Sequence, residues 1–561
     1  MPLDSVLRLD ATAVDYVIIA TYFVFVLGIG YLAKRAVSNS LDFFLSGRSL
    51  PAWVTGLAFI SANLGAIEIM GMSANGAQYG MPTVHYFWIG AIPAMLFLGV
   101  VMMPFYYGSK VRSVPEFMLR RFGKPAHLVN AISFAVAQVL IAGVNLFLLA
   151  TIVNVLLGWP IWVSVIVAAV IVLSYITLGG LSAAIYNEVL QFFVIVAALL
   201  PLTIVGLHKV GGYQGLIDKV TASKGGAEQL SAWPGQELSG FTSSSFLSVI
   251  GLVFGLGFVL SFGYWTTNFV EVQRAMASKN MSAARRTPII GSFPKMFIPF
   301  IVIIPGMIAA VAVPELQQFK EAGGTGGNVT YNDALLLLMR DLLPNGMLGL
   351  AITGLLASFM AGMAANLSSF NTVTTYDLIE RYIVKDRSDD FYLRTGRWVT
   401  VAGTVIAIGT AAIASGYSNL MDYLQQLFSF FNAPLFATFI LGMFWKRMTA
   451  AAGWIGLVSG TATAVLVFIL SETGVITLPG QGASFVGAGA AFVVDILVSV
   501  VVSKVTRAKQ ESELVGLVYS LTPKEQRTEA AGEGDHGWYR KPVLLAGISL
   551  GMVIVLNIVF G

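Results

Sequence analysis

No cysteine occurs anywhere in the 561 residues, which excludes a disulfide framework and any thiolate metal site. Charge is scarce too: Asp, Glu, Lys and Arg make up 11% of the chain, against 56% hydrophobic residues. A soluble domain has no way to hide that much apolar surface, and the mean hydropathy is +0.79, so the class is a polytopic membrane protein. Four histidines (His85, His127, His208 and His536) are scattered without metal-ligand spacing. No P-loop, nucleophile elbow or metal motif occurs, and the Gly-rich stretches lie inside apolar spans rather than between a strand and a helix, so an enzyme is not expected. The formal net charge of +4 is small. It reflects basic loops on one side of a membrane, not a nucleic-acid surface.

Long apolar runs are what the chain has instead. About 20 such residues cross the hydrocarbon core as a helix, and on that rule the sequence predicts 14 spans. Their limits are 14–33, 51–77, 81–107, 126–156, 160–179, 183–207, 242–270, 287–313, 344–378, 393–416, 419–444, 450–471, 483–505 and 541–560. The first run follows a stretch of mixed charge (Asp4, Arg8, Asp10) and leads into "AKRAVSN" with no cleavage site; it reads as a retained span, not a signal. An even number puts both termini on one side. With the N-terminus outside, the external loops hold only Arg8, Lys209, Lys219, Lys224, Lys320 and Arg340, and every other Lys and Arg except Lys295 is cytoplasmic. That asymmetry predicts external N- and C-termini. Two loops have length. Residues 208–241 are external and rich in Gly and Ser; residues 506–540 are cytoplasmic, where Thr522, Pro523 and Glu525 suit the start of a short helix. Both read most simply as connectors.

Charge near the bilayer centre costs about 2.5–3.5 kcal/mol or more, so polar residues inside spans carry the information. Glu188, Glu271 and Asp422 fall near predicted interfaces, where snorkelling and capping suffice. Glu68 and Lys295 lie deeper and point to function, or to a buried ion pair that only locks helices together. The second span, "GLAFISANLGAIEIMGMSANG", is weak around Asn63 and Gly65, just before Glu68. The seventh, "GLVFGLGFVLSFGYWTTN", is weakened by four glycines and made polar by Ser261, Thr266 and Thr267. Two weak, polar spans five apart point to inverted five-helix repeats whose first helices are discontinuous and meet at a midplane site. Unwound backbone is tolerated there because it lines a cavity.

The runs "DFFLSGRSLPAWVTGLAFISANLGA", "YITLGGLSAAIYNEVLQ", "QRAMASKN" with "PKMFIPFIVIIPGMIA", and "ATFILGMFWKRMTAAAGWIGLVSG" resemble the sodium/solute symporter family, which contains sodium–glucose and sodium–proline transporters. The resemblance spans about residues 14–471. It implies an all-α, leucine-transporter-like fold: a leading helix (14–33), a first inverted repeat (51–207), a second (242–444), and three trailing helices (450–560) that include the loop 506–540. It implies cation-coupled solute uptake by alternating access in the plasma membrane. Carried over by position, it assigns solute binding to Glu68, Phe87, Ser261, Tyr264, Lys295 and Gln425. Here Glu68 stands for a neutral or weakly basic polar residue, Phe87 for a glutamate and Ser261 for an asparagine. Tyr264 is the stacking inner-gate residue.

The ion site departs further. The family's sodium is held by carbonyls at Ser61 and Leu64, a carbonyl at Ser358 and two hydroxyls, but the hydroxyl positions are Ala361 and Gly362, which have no side-chain oxygen. Dropping two oxygens should weaken a hard-cation site. A buried Glu68 could instead take up a proton, or neutralise Lys295 in the empty site. No cofactor is expected, and sodium is the one ion implied, as co-substrate. The expected partners are a small solute and the bilayer, with no nucleic acid. A sugar or polyol is the favoured solute. A monocarboxylate or amino acid with proton coupling, or a non-transporting solute sensor, stands as the alternative.

Overall fold

The computed structural model describes residues 8–34, 46, 49–65, 67–108, 111, 113–327, 329–417, 419–523 and 537–561. Helices carry nearly all of it. The leading helix α1 (Ala13–Lys34) turns Val17, Val24 and Phe25 outward, a face that suits lipid. Next come α2 (Ala52–Asn63) and α3 (Ile67–Tyr79), joined at a 57° bend, then α4 (Met81–Gly108). A short amphipathic helix, α5 (Val114–Phe122), starts where the Ser113 hydroxyl accepts from the Glu116 amide and Pro115 occupies the first turn. It leads into α6 (Lys124–Leu157), which stops at left-handed Gly158 (φ +70°).

Helix α7 (Ile161–Val210) is continuous over 50 residues, about twice a membrane span. The short helix α8 (Gly212–Ala222) follows. Helix α9 (Ser245–Thr267) is interrupted at Asn268, whose backbone is extended (ψ +117°), and resumes as α10 (Phe269–Met276). Then come α11 (Met281–Ala312), two short helices α12 (Pro314–Glu321) and α13 (Ala334–Leu342), and α14 (Met347–Ile383). The chain closes with α15 (Asp389–Ala414), α16 (Leu420–Phe444), α17 (Ala450–Glu472), α18 (Gly482–Val505) and α19 (Pro542–Val559).

Among the described residues, 12 helices are long and apolar enough to cross a membrane, or 13 with the bent α2–α3 pair as one span. Fourteen were expected; the expected segment 160–179 falls in the first half of α7, whose described part Ile161–Ser174 is apolar and helical and continues into the span Ala184–Val210. The expected short helix in 506–540 does not start at Thr522 or Pro523, which are not helical, and Glu525 lies outside the described residues.

Packing carries α11 across the α2–α3 break. The first part of α11, up to Lys295, packs on α2, and the part after Phe297 packs on α3. Helix α11 therefore bridges the break, and Lys295 falls at the bridge. Two hydrogen-bonded seams hold it: Thr55 to Thr287 at 2.6 Å and the Ser73 hydroxyl to the Val302 carbonyl at 2.6 Å. On the other side α14 lies along α6 and α7. There Gly65 is obligatory for closeness: a Cβ on it would sit 3.2 Å from the Gly362 Cα, so larger residues would push α14 off the break.

Candidate functional site

A cavity of about 770 Å³ of empty space, its mouth included, lies between the two breaks, within the range of small-molecule sites. The α2–α3 bend contributes Asn63, Gly65 and Glu68; α9 contributes Ser261, Tyr264 and Trp265; the second break contributes Asn268. Lys295, Gln425, Asn145 and Asn366 complete the polar lining, with Met72, Tyr86, Met421 and Phe428 supplying apolar and aromatic walls.

Of the solute residues expected from the sequence, Glu68, Ser261, Tyr264, Lys295 and Gln425 all line this space. Phe87 does not; it is fully buried behind the wall, with its ring 4.7 Å from Lys295 Nζ. Its part is therefore to hold the ammonium by a cation–π contact. Lys295 is 1% exposed and donates to Glu68 Oε1 at 2.5 Å and to Asn63 Oδ1. The Trp265 ring lies 5.3 Å away. Asn63 donates to the Tyr264 hydroxyl at 3.1 Å, which in turn donates to Glu271 Oε1 at 2.8 Å. One continuous chain of polar groups thus runs from Glu68 through Lys295, Asn63 and Tyr264 to Glu271.

Glu188 and Glu271, expected near interfaces and served by snorkelling, do not snorkel. Both are fully buried. Glu188 forms an ion pair with Arg274 at 2.5 Å inside the protein, and Glu271 stands one turn beyond the cavity floor. Asp422 accepts from Gln481 at 2.7 Å. The ion pair joins α10 to the second half of α7 within the protein, which is why neither carboxylate reaches solvent.

Both ends of the cavity are bridged. At the end of α3 Asn419 donates to Asn75 and Gln78 at 2.9 and 2.8 Å. The carbonyls that end α3 are capped by the loop 208–241 and by α12. Gln229 donates to the Gln78 carbonyl at 2.8 Å and Lys320 to the Ala77 carbonyl at 2.7 Å. Loop 208–241 is therefore more than a connector. Burial pushes the Lys320 ammonium down to about 8. At the other end α10 is tied to α14: Gln273 accepts from Ser369 at 3.0 Å and donates to Thr372 at 2.9 Å.

The expected ion residues do converge. Gly362 meets Gly65 and Ser358 meets Leu64, and Ser61 and Ala361, their neighbours in sequence, are buried. The Ser358 hydroxyl donates to the Leu64 carbonyl at 2.7 Å, so these two oxygens are already in contact. Sequence reasoning missed Asn63 as a lysine ligand, and missed Asn145, Asn268 and Asn366 altogether. Each is an amide inside an apolar run, so the rule applied to charged residues would have found them had it covered amides.

A family model described as "Sodium:solute symporter family" matches residues 43–460. The chain is 27% identical to the "Sodium/glucose cotransporter" of Vibrio parahaemolyticus over 467 residues, covering 81% of this chain and 85% of that protein. It is 28% identical to "Sodium/glucose cotransporter 1" of Oryctolagus cuniculus over 571 residues, covering 95% and 85%. Among solved structures, a Na+-coupled sialic acid symporter in a substrate-bound outward-open state superposes with a TM-score of 0.72 at 17% identity, covering 89% of this chain and 99% of that one. That likeness bears on the fold alone, and it agrees with the leucine-transporter-like arrangement expected from the sequence. With a family match of this extent, the chain belongs to the sodium:solute symporter family, and is a multi-pass membrane transporter rather than an enzyme.

Proposed function

We propose that this chain takes up a neutral, polyhydroxylated solute, a sugar or polyol, with sodium as co-substrate, by alternating access between the α2–α4 and α9–α11 helices on one side and α6, α7, α14 and α15 on the other. The observation that carries the solute class is the Glu68–Lys295 contact at 2.5 Å. The lysine is already neutralised, so a carboxylate solute would have to displace Glu68 and leave it buried without a partner. A neutral hydroxylated ring meets no such penalty. It finds donors and acceptors in Glu68, Gln425, Asn63 and Asn268, and aromatic faces in Tyr264 and Trp265. The relatives named above are cotransporters of glucose, which supports the same class. In this reading Glu68 serves Lys295 rather than replacing sodium as a proton carrier. Tyr264, held by Asn63 and Glu271, closes the cavity floor.

The same reading assigns the repeats to 51–207 and 242–444, supported by the bend between α2 and α3 and by the interruption at Asn268. It puts both termini outside the plasma membrane, supported by the one-sided distribution of Lys and Arg. The solute assignment is tested by competition: uptake of a labelled hexose into proteoliposomes, challenged with unlabelled hexoses, polyols, lactate and alanine. The hexoses and polyols compete and the acids do not; competition by lactate or alanine alone overturns it.

A further inference from the structure

Two buried oxygens, one in the last turn of α2 and one on α6, have no partner among the described residues. One is the Ser61 hydroxyl; the other is Asn145 Oδ1, on α6. Asn145 is 2% exposed, and its amide nitrogen donates back to the Ile141 carbonyl at 3.4 Å, which leaves the oxygen turned toward the seam between α14 and the end of α2. A Cβ built on Gly362 would lie 3.1 Å from that oxygen and 3.4 Å from its carbon, and a Cβ built on Gly65 would lie 3.4 Å from the oxygen. The amide oxygen therefore faces both helices where they touch. Ser358, one turn before Gly362, has its hydroxyl on the Leu64 carbonyl at 2.7 Å. Three oxygens are thus set around the Gly65–Gly362 contact: the Leu64 carbonyl just after α2, the Ser358 hydroxyl from α14 and the Asn145 amide from α6; Ser61 lies one turn before Gly65.

A buried amide oxygen with no donor is costly, and a hard cation is the partner that carbonyl and hydroxyl oxygens in this arrangement would share. The space around Gly362 allows one oxygen source: a side chain there would press its Cβ onto the Asn145 oxygen. Gly362 and Asn145 are thus complementary, the glycine making room for the amide.

We propose that the Asn145 amide oxygen is a ligand of a sodium site at the α2–α14 seam, supplying from α6 the oxygen that Ala361 and Gly362 cannot supply from α14. This rests on the sodium-coupled reading above. It gives Asn145 a role distinct from solute binding, although Asn145 also borders the cavity, and it ties sodium occupancy to the position of α6 against the bend.

The test uses the full chain in proteoliposomes, reading hexose uptake against external sodium and, separately, against hexose. Wild type is measured first. Uptake that ignores sodium overturns both this proposal and the reading under it, before any substitution is made. With sodium dependence present, Asn145→Ala raises the half-saturating sodium concentration about tenfold, the loss of one good ligand, and raises the hexose KM far less. Adding Ala361→Ser to Asn145→Ala returns a hydroxyl to the seam and brings the sodium requirement back toward wild type. Asn145→Asp keeps the oxygen and adds charge; it lowers the half-saturating sodium concentration, and serves where the alanine variant fails to assemble. A rise in hexose KM with unchanged sodium dependence, or a sodium requirement indifferent to Ala and Asp alike, overturns the proposal and leaves sodium coupling itself intact.

Discussion

Lys295→Met removes the ammonium from a buried pair whose partner stays behind. Glu68 is 8% exposed and Lys295 1%, their closest atoms are 2.5 Å apart, and the ammonium also lies over Phe87 and Trp265. Removing one partner of such a pair leaves an uncompensated buried charge and costs about 3–5 kcal/mol, whereas removing both and filling the space is close to neutral. The single substitutions Lys295→Met and Glu68→Gln should therefore each lower stability by several kcal/mol. The double substitution should lose far less than the sum of the two single losses, by at least about 2–3 kcal/mol. The Lys295 variant should lose somewhat more than the Glu68 variant, because it also forfeits two cation–π contacts of about 0.5–2 kcal/mol each and the bond to Asn63. The assay is unfolding of the detergent-solubilised protein followed by tryptophan fluorescence, completed as a double-mutant cycle. Strictly additive losses would refute the reasoning, because they would mean that Glu68 and Lys295 do not stabilise one another.

Four further outcomes follow from the geometry. Gly65→Ala places a methyl 3.2 Å from the Gly362 Cα, and should cost about 1–3 kcal/mol in stability and abolish uptake, read by the same unfolding and uptake assays. Tyr264→Phe loses its bonds to Asn63 and Glu271, and a cysteine placed at Asn268 should then react faster with a thiol reagent applied from the cytoplasmic side; the absence of native cysteine makes the readout clean. Lys320, buried against Ala77 and Gln229, has its pKa depressed from 10.5 to about 8, so between those values the unfolded chain binds more protons than the folded one and stability rises with pH. Lys320→Met should flatten that rise in the unfolding midpoint. Single cysteines added near either terminus should react with a membrane-impermeant maleimide on intact cells, and a cysteine at Lys446 should not.

Much of the fold was legible because a bilayer makes polarity conspicuous. Glu68 and Lys295 stood out as charges in apolar runs, and the weak helix at Asn63 and Gly65 marked the break that the structure places beside them. Why the two meet was not legible: it depends on α11 crossing the α2–α3 bend at Lys295, a long-range packing fact with no local signature. Glu188 and Glu271 misled for the opposite reason. Their places near the ends of apolar runs matched the interface, but α7 continues through 161–210 without a stop and α10 turns inward after Asn268. Phe87 was assigned to the solute by position, yet its side chain serves Lys295 instead. Asn145 was passed over because the search for polarity in apolar runs was confined to charged residues, and its place beside Gly65 and Gly362 depends on packing that no local signature gives.

The measurement that bears most directly on the account is hexose uptake into proteoliposomes under an inward sodium gradient, set against an inward proton gradient of equal size and a control with neither. The account requires accumulation with sodium and none with protons. Accumulation driven by protons alone would contradict it, and would move the coupling role from the α2–α14 seam to Glu68 and its lysine.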